Sequence, residues 1–204
     1  MKKTLVFTLL VVLLFFPSLV LRAQTPPDST SGSALGKIWS KLTSSAALSE
    51  KDLIGKWDYR GSACTFETEN LLKKAGGSVV ATQVENKFDD YLQKVGVRKG
   101  TSYFTFNDDG SYSAKLGVAK LSGKYSLDEK TKMLTMSYML GVAKMHPRVV
   151  KSGKTLKLMY DADSFLKLMK TLSMFTKDNS IEILAAMADL YDGMLLGFDV
   201  AKGN

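Results

Sequence analysis

The residues that could do chemistry in this sequence are few and stand far apart. The chain has one cysteine, Cys64, and one histidine, His146. A cysteine nucleophile needs a nearby base, and a structural zinc site needs several Cys or His ligands. Neither requirement is met by these two residues. We therefore expect Cys64 to be a buried structural thiol, and we predict no metal site and no cofactor.

The acidic residues give no clearer signal for catalysis. Asp108 and Asp109 lie in a turn and lack the spacing of a calcium-binding EF-hand loop, while Asp161 and Asp163 are placed to cap a helix. Nucleophile-elbow, phosphate-loop and dinucleotide-binding motifs do not occur. A carboxylate pair for glycoside hydrolysis stays open, because two such residues can meet in space without regular spacing. We predict a protein that is not an enzyme, with no catalytic residues.

Tyrosine and methionine are the residue types that could contact a ligand. Tyrosines recur through the predicted strands, and all ten methionines except Met1 fall between residues 133 and 194. Tyr combines an apolar ring with a polar hydroxyl, and Met adapts to apolar partners of varied shape. Such side chains could line a ligand pocket or fill an ordinary core. The candidate ligand-binding residues are Trp57, Tyr59, Tyr112, Tyr125, Met136 and Tyr138.

The elements that must position these residues follow from the spacing of the apolar side chains. Residues 54–66 predict a first strand, and the apolar positions from Leu72 to Leu92 predict a helix that Gly96 should end. From residue 101 the period changes to two, with turn residues between the apolar runs, which indicates an antiparallel meander. The six runs are 101–107, 111–117, 120–127, 132–140, 144–151 and 155–161.

Helical spacing returns after residue 161 and predicts two helices, the second from Ser180, followed by a last strand over 194–201. The strand count is then eight, the number that closes a small up-and-down barrel. Pairing of the last strand with the first would remove both exposed edges. The predicted fold class is mainly β with helical insertions (α+β), with one helical insert after strand 1 and two helices before the last strand.

A short repeat lies within the meander. The sequence Leu-Gly-Val-Ala-Lys occurs at 116–120 and again at 140–144. We interpret each copy as a turn that joins two strands. Coincidence and a duplicated hairpin both remain open, because two copies are too few to define a repeat architecture.

The N-terminal segment predicts export. Two lysines precede an apolar stretch over residues 5–21, which ends near the small residue Ala23. This is the pattern of a cleaved signal peptide over residues 1–23. The stretch is nearly long enough for an uncleaved anchor, but Pro17 and the polar residues from Gln24 favour cleavage, so no membrane span should remain. No cysteine lies near the cut, so we expect a soluble rather than lipid-anchored product in the periplasm or outside the cell.

Two further segments complete the predicted organisation. Residues 24–49 form a polar linker with a short amphipathic helix, and residues 50–204 form the barrel domain. The net charge of +8 falls to +5 without residues 1–23, because they contain three basic and no acidic residues. Lysines alternate with acidic residues instead of forming a stripe, so we predict no nucleic-acid partner.

Several short motifs resemble a known family. Gly55-Lys56-Trp57 resembles the Gly-x-Trp that opens lipocalin and lipocalin-like domains, and the motifs at 106–112, 122–125 and 156–158 are similar to bacterial lipocalin-like hairpins. In motif order, residues 50–204 resemble a secreted lipocalin-like family of unknown function from Bacteroidetes. The resemblance implies a calyx-like barrel that binds a small hydrophobic ligand, and it supplies no catalytic residues.

Two functions follow as hypotheses. The first is an exported lipocalin-like binding protein for a small apolar or amphiphilic ligand. The alternative is a cell-envelope protein-interaction module, whose barrel is filled and binds no small molecule. The helical inserts could plug or cap the barrel, and the sequence leaves both functions open.

Overall fold

The computed structural model describes residues 48–67, 70, 78–173 and 193–203. The chain divides into two compact units, Met1–Gly32 and Ser33–Asn204, and the described residues belong to the second. Three predicted features therefore lie outside the described residues. They are the signal peptide, the short amphipathic helix of the linker and the helix from Ser180.

One antiparallel sheet contains nine strands within the described part of the chain. The strands are β1 (Gly55–Phe66), β2 (Tyr103–Phe106), β3 (Ser111–Leu116), β4 (Ala119–Asp128), β5 (Met133–Tyr138), β6 (Ala143–Met145), β7 (Arg148–Ser152), β8 (Thr155–Asp161) and β9 (Met194–Lys202). The helices are α1 (Glu50–Leu53), α2 (Ser78–Lys94) and α3 (Ala162–Ser173), with a 3₁₀ turn at Met139–Gly141.

The sheet closes into a barrel. Strand β1 pairs with β2 on one side and with β9 on the other, from Trp57 opposite Lys202 to Phe66 opposite Met194. Strand β4 pairs with β5 and completes the circle. The predicted pairing of the last strand with the first is confirmed, and closure satisfies the backbone groups that an open sheet would leave exposed.

Strands β6 and β7 are two parts of one barrel strand. Tyr138 and Met136 of β5 lie opposite Ala143 and Met145 of β6, and Met133 lies opposite Arg148 of β7, in one continuous register. The barrel therefore has the eight strands that were predicted.

The prediction of an unbroken strand over 144–151 is wrong at His146-Pro147, where the ladder is interrupted. Proline has no N–H to donate to the ladder, although the Pro147 carbonyl still accepts the Leu134 N–H at 2.8 Å.

Helix α2 ends at the predicted glycine. Gly96 has φ +84°, and its N–H donates to the Gln93 carbonyl at 3.0 Å. The Val97 N–H donates to the Leu92 carbonyl at 2.7 Å. This pair of hydrogen bonds is a Schellman motif, and the side chains of Val97 and Leu92 are both buried beside it. The motif turns the chain from α2 toward β2.

The helices share one core with the barrel. Asp161 caps α3 as predicted, because its Oδ1 accepts the Ser164 N–H at 2.8 Å. The Phe165 ring of α3 lies 5.5 Å from the Phe88 ring of α2 and 5.4 Å from the Phe198 ring of β9, measured between centroids. Both helices are thereby anchored to the barrel by aromatic contacts.

The two copies of Leu-Gly-Val-Ala-Lys both join antiparallel strands, as predicted, but they are not equivalent. The first copy makes a tight turn between β3 and β4, and its Leu116 is buried. The second spans the 3₁₀ turn between β5 and β6, and its Leu140 is fully exposed. The copies share a role as connections and differ in how their leucines pack.

Candidate functional site

Aromatic side chains in direct contact line the barrel interior. Ring centroids are 5.0 Å apart between Phe106 and Tyr125 and 5.6 Å apart between Phe104 and Phe198. These pairs are tilted or edge-to-face, the arrangements that aromatic rings favour. Met136 is also completely buried in this cluster. Most of the predicted ligand-binding residues therefore lie in a packed core.

Trp57 and Tyr125 use their polar atoms to close the barrel end near α1. The Trp57 indole N–H donates to the Leu53 carbonyl at 2.6 Å, and the Lys202 ammonium lies 4.5 Å from the Trp57 ring centroid. The Tyr125 hydroxyl donates to the Asn107 carbonyl at 2.8 Å. Burial raises the pKa of Tyr125, so its hydroxyl stays a neutral donor. Both predicted site residues make structural contacts here.

Three tyrosines form a polar group inside the barrel. The Tyr112 hydroxyl is buried and has no hydrogen-bond partner among the described residues. The Tyr160 hydroxyl contacts the Met145 sulfur at 3.8 Å, and sulfur is a weak acceptor. Burial raises the pKa of Tyr112 and of Tyr160, and neighbouring tyrosines, Tyr138 included, raise both further. Tyr160 was not predicted as a site residue, although the alternation along β8 places it on the inner face.

A pocket of about 330 Å³ opens beside β1, α2 and the loop that follows α2. Tyr59 is the one predicted site residue in its lining. The lining residues are Tyr59, Asp89, Gln93, Val97, Arg98 and Lys99.

Asp89 joins the helical wall of this pocket to the barrel wall. Its Oδ1 accepts the Tyr59 hydroxyl at 2.8 Å and the Ser62 N–H at 2.7 Å. A β-bulge between Tyr59 and Gly61 shifts the register of β1 at this point. Burial, followed by the hydrogen bond to Asp89, raises the pKa of Tyr59, so Tyr59 remains a neutral donor. The carboxylate thus fixes the geometry of two sides of the pocket.

One helical turn earlier, Glu85 makes a second connection to β1. Its carboxylate accepts the Cys64 N–H at 2.9 Å, and its backbone carbonyl accepts the Ser62 hydroxyl at 2.8 Å. Cys64 is buried, as predicted, and burial beside Glu85 raises the pKa of its thiol to about 12. The thiol is therefore protonated at neutral pH and unsuited to nucleophilic chemistry.

The positive side of the pocket comes from the loop after α2. Arg98 donates from its Nε and one terminal nitrogen to the Gln93 carbonyl, both at 3.3 Å, and Lys99 is exposed. Arg98 has further N–H groups that these bonds do not use. The pocket therefore combines these cationic groups with the Asp89 carboxylate and with Tyr59 and Val97, which are 5% and 0% exposed and offer almost no apolar surface. This combination can hold a ligand, whereas no nucleophile with a base lies in the described lining.

Sequence reasoning missed five of the six pocket residues, because Tyr59 alone was predicted. Glu85, Asp89 and Gln93 recur at steps of four and form a polar stripe on α2, next to the apolar face that was recognised. That stripe was the available signal for the helical wall. The bulge in β1 and the position of Arg98 had no comparable signal, because both depend on how α2 packs on the barrel.

No three His, Cys, Asp or Glu side chains of the described residues converge in a way that could hold a metal ion. Over that same part of the chain, every helix is too short or too polar to cross a bilayer.

A closed antiparallel barrel of eight strands with inserted helices defines a lipocalin-like protein. The chain belongs to the family described as Lipocalin-like domain (DUF4923), which matches residues 28–202. The predicted resemblance is confirmed in its family and fold, and this family is a domain of unknown function. The Bacteroidetes origin stays a prediction.

Two further comparisons add little. No curated protein matches the chain. Among solved structures, a DUF4847 family protein from Bacteroides vulgatus ATCC 8482 is similar, with 11% sequence identity and a TM-score of 0.36. The alignment covers 76% of this chain and 96% of that one. A likeness at this level carries no argument about function.

Proposed function

We propose that this protein binds a small amphiphilic molecule with an acidic group in the pocket beside α2. The observation that carries the proposal is the lining of that pocket, in which the exposed side chains of Arg98 and Lys99 stand together. Its volume of about 330 Å³ lies within the usual range of small-molecule sites. An acidic group would pair with the cations, and the apolar part would lie along the aliphatic stems of Arg98 and Lys99.

Each group in the pocket has a distinct part in this binding. The guanidinium of Arg98 offers N–H donors in a fixed plane, which suits a carboxylate or a phosphate. Gln93 orients the guanidinium through its carbonyl. Asp89 is a positioning residue, because it holds Tyr59 and the Ser62 amide in place. The ligand is bound and released unchanged.

As part of the same proposal, the protein acts outside the cytoplasm, in the periplasm or at the cell surface. The support is the positive start, apolar stretch and small residue of residues 1–23. An exported binding protein for amphiphiles would meet its ligand in the cell envelope.

A test begins with the protein purified in the form that its own cells produce. Native mass spectrometry should detect a co-purifying small molecule, and the intact mass should place the mature N terminus near Gln24. A fluorescent fatty acid then serves as the probe. Replacing both cations (Arg98→Gln with Lys99→Gln) should weaken probe binding about ten-fold or more, since hydrogen bonds to charged groups contribute about 1.5–3 kcal/mol.

The matched control is Lys154→Gln, at an exposed lysine in the turn between β7 and β8. It removes the same type of charge and should leave probe binding unchanged. Equal affinity in the wild type and the double variant would rule out the pocket as the binding site.

A second candidate function is a protein-interaction module of the cell envelope. The contacts of 5.0–5.6 Å between aromatic ring centroids inside the barrel favour it, because such packing leaves little room for a ligand there. Cross-linking in cells distinguishes the two functions. Reproducible protein partners, together with an empty mass spectrum and no probe binding, would support the second.

A further inference from the structure

Two turns of the barrel expose apolar side chains to solvent. In the turn between β3 and β4, Val118 is 65% exposed. In the connection between β5 and β6, Met139, Leu140 and Val142 are 62%, 104% and 87% exposed. We call these four residues the apolar tips. The other described hairpin turns, at 107–110, 129–132 and 153–154, carry polar residues and glycine.

The two turns that carry the apolar tips lie at the same end of the barrel. Strand β4 begins directly after Val118 and runs antiparallel to β5, which ends directly before Met139. The 3₁₀ turn Met139–Gly141 also contacts β4. The four apolar side chains therefore project from one rim of the barrel.

Folding of the chain does not explain this arrangement. Met139 and Leu140 have φ of +51° and +58°, a region that residues other than glycine enter at a cost. Neither side chain is buried in return. Exposed apolar groups on a strained turn are typical of surfaces that contact something else.

Three lysines lie on the outer barrel wall next to the tips. Lys115 and Lys120 are directly opposite each other on β3 and β4, and Lys144 is exposed on β6. Opposed like charges are unfavourable in a sheet. Within the described residues none of the three forms an ion pair. We call these three residues the rim lysines.

The short repeat accounts for part of this pattern. In each copy of Leu-Gly-Val-Ala-Lys, an exposed valine is followed two residues later by an exposed lysine, as Val118 and Lys120 in one and Val142 and Lys144 in the other. The repeat therefore places the same pair of chemical groups twice on one rim.

We propose that this rim docks on an anionic lipid bilayer. The apolar tips enter the interfacial region, and the rim lysines pair with lipid phosphates. A bilayer accepts single protruding side chains without a complementary pocket, whereas a protein partner must supply one for each. The full exposure of Leu140 and the excess of positive charge both fit the lipid surface. This docking does not depend on the proposed ligand pocket.

The test uses the protein as its cells produce it and a vesicle flotation assay. The probes are vesicles of phosphatidylglycerol with phosphatidylcholine, and vesicles of phosphatidylcholine alone. The wild type should bind the anionic vesicles more tightly, and added salt should weaken this binding. Leu140→Asn should reduce affinity for the vesicles about ten-fold, because the leucine side chain that enters the bilayer is lost. Asparagine tolerates positive φ, so the fold should be unaffected.

Matched controls separate the rim from general stickiness and general charge. Val79→Ser removes a valine that is also 65% exposed, on the first turn of α2, and should not alter binding, whereas Val118→Ser should weaken it. Lys120→Gln should reduce binding to anionic vesicles about five-fold, while Lys154→Gln should not. Any contribution of the N-terminal segment is common to all variants.

Two results would overturn the proposal. One is a wild type that binds neither kind of vesicle, which would leave a protein partner as the occupant of the rim. The other is binding that Leu140→Asn, Val118→Ser and Lys120→Gln leave unchanged. Probe binding in the pocket is measured separately with the fluorescent fatty acid, so failure of one proposal is distinguishable from failure of the other.

Discussion

Two buried tyrosines differ in whether their hydroxyl groups are satisfied. The Tyr59 hydroxyl donates to Asp89 at 2.8 Å, whereas the Tyr112 hydroxyl has no partner among the described residues. Burial raises the pKa of both, so both hydroxyls stay protonated and neutral. A buried hydroxyl without a partner costs about 1–3 kcal/mol, and a hydrogen bond to a charged group contributes about 1.5–3 kcal/mol. The same side chain therefore has opposite effects at the two positions.

We expect Tyr112→Phe to raise the free energy of unfolding by about 1 kcal/mol, because it removes a hydroxyl that nothing satisfies. Tyr59→Phe should lower the free energy of unfolding by about 1.5 kcal/mol, because it removes the bond to Asp89. Urea unfolding of both variants measures the difference, and each is the matched control of the other.

A loss of stability in Tyr112→Phe would contradict this prediction. It would mean that the hydroxyl has a partner beyond the described residues. Native mass spectrometry of the same variant would then report whether that partner is a bound small molecule.

At the scale of elements, the approach of β8 to β9 depends on one glycine. A Cβ atom at Gly197 would lie 1.8 Å from the Leu158 carbonyl oxygen, which is backbone and cannot move aside easily. Gly61, in the bulge of β1, has room for a Cβ, since the nearest atoms belong to the Asp89 carboxylate at 3.6 Å. Of these two glycines in the same barrel wall, only Gly61 thus has room for a side chain.

Gly197→Ala should lower the free energy of unfolding by about 2–3 kcal/mol, because the strands must separate to admit the methyl group. Gly61→Ala, the control, should change it by less than about 0.5 kcal/mol. Thermal and denaturant unfolding provide the measurement. Equal effects of the two substitutions would show that the close approach of β8 and β9 at Gly197 is not required for stability.

The elements themselves were largely predictable. Alternation along β3, β4 and β8 identified strands, and Gly96 marked the end of α2, because these signals are local. The interruption at Pro147 was predictable in principle from the missing N–H. The shared register of β6 and β7 was not, because it is defined only by their pairing with β5.

At the scale of the whole molecule, α1 closes one end of the barrel by contacts between distant parts of the chain. Asp52 pairs with Lys151, 99 residues away, at 2.5 Å. The Leu127 N–H donates to the Glu50 carboxylate at 3.2 Å. The hydrogen bond from Lys151, with those from the Ser49 amide and hydroxyl, lowers the pKa of Asp52 to about 2. This closure therefore depends on pH.

Asp52→Asn should lower the free energy of unfolding by about 1 kcal/mol near pH 7. The expected loss is small because solvent screens the charges of this partly exposed pair. The native carboxyl has the lower pKa, so its contribution is complete above the pKa of the unfolded chain, about 4, and is lost as the pH falls toward about 2. Denaturant unfolding of wild type and variant across this range measures it.

Lys151→Gln removes the other partner and should give the same loss of stability near neutral pH. The double variant should add little to either single change, because one interaction is shared. A stability difference between Asp52→Asn and the wild type that stays constant down to about pH 2 would contradict the assigned cause.

The sequence by itself determined the class of protein. Eight strands, their turns, the helix after the first strand and the lipocalin-like family could all be inferred, because strand period, turn residues and helix ends are properties of neighbouring residues. The tertiary structure decided which tyrosine hydroxyls have hydrogen-bond partners. It joined Tyr59 to Asp89 across 30 residues, placed Arg98 in the same pocket and left the Tyr112 hydroxyl unpartnered among the described residues. Those outcomes depend on packing between segments far apart in the chain, which no local pattern encodes.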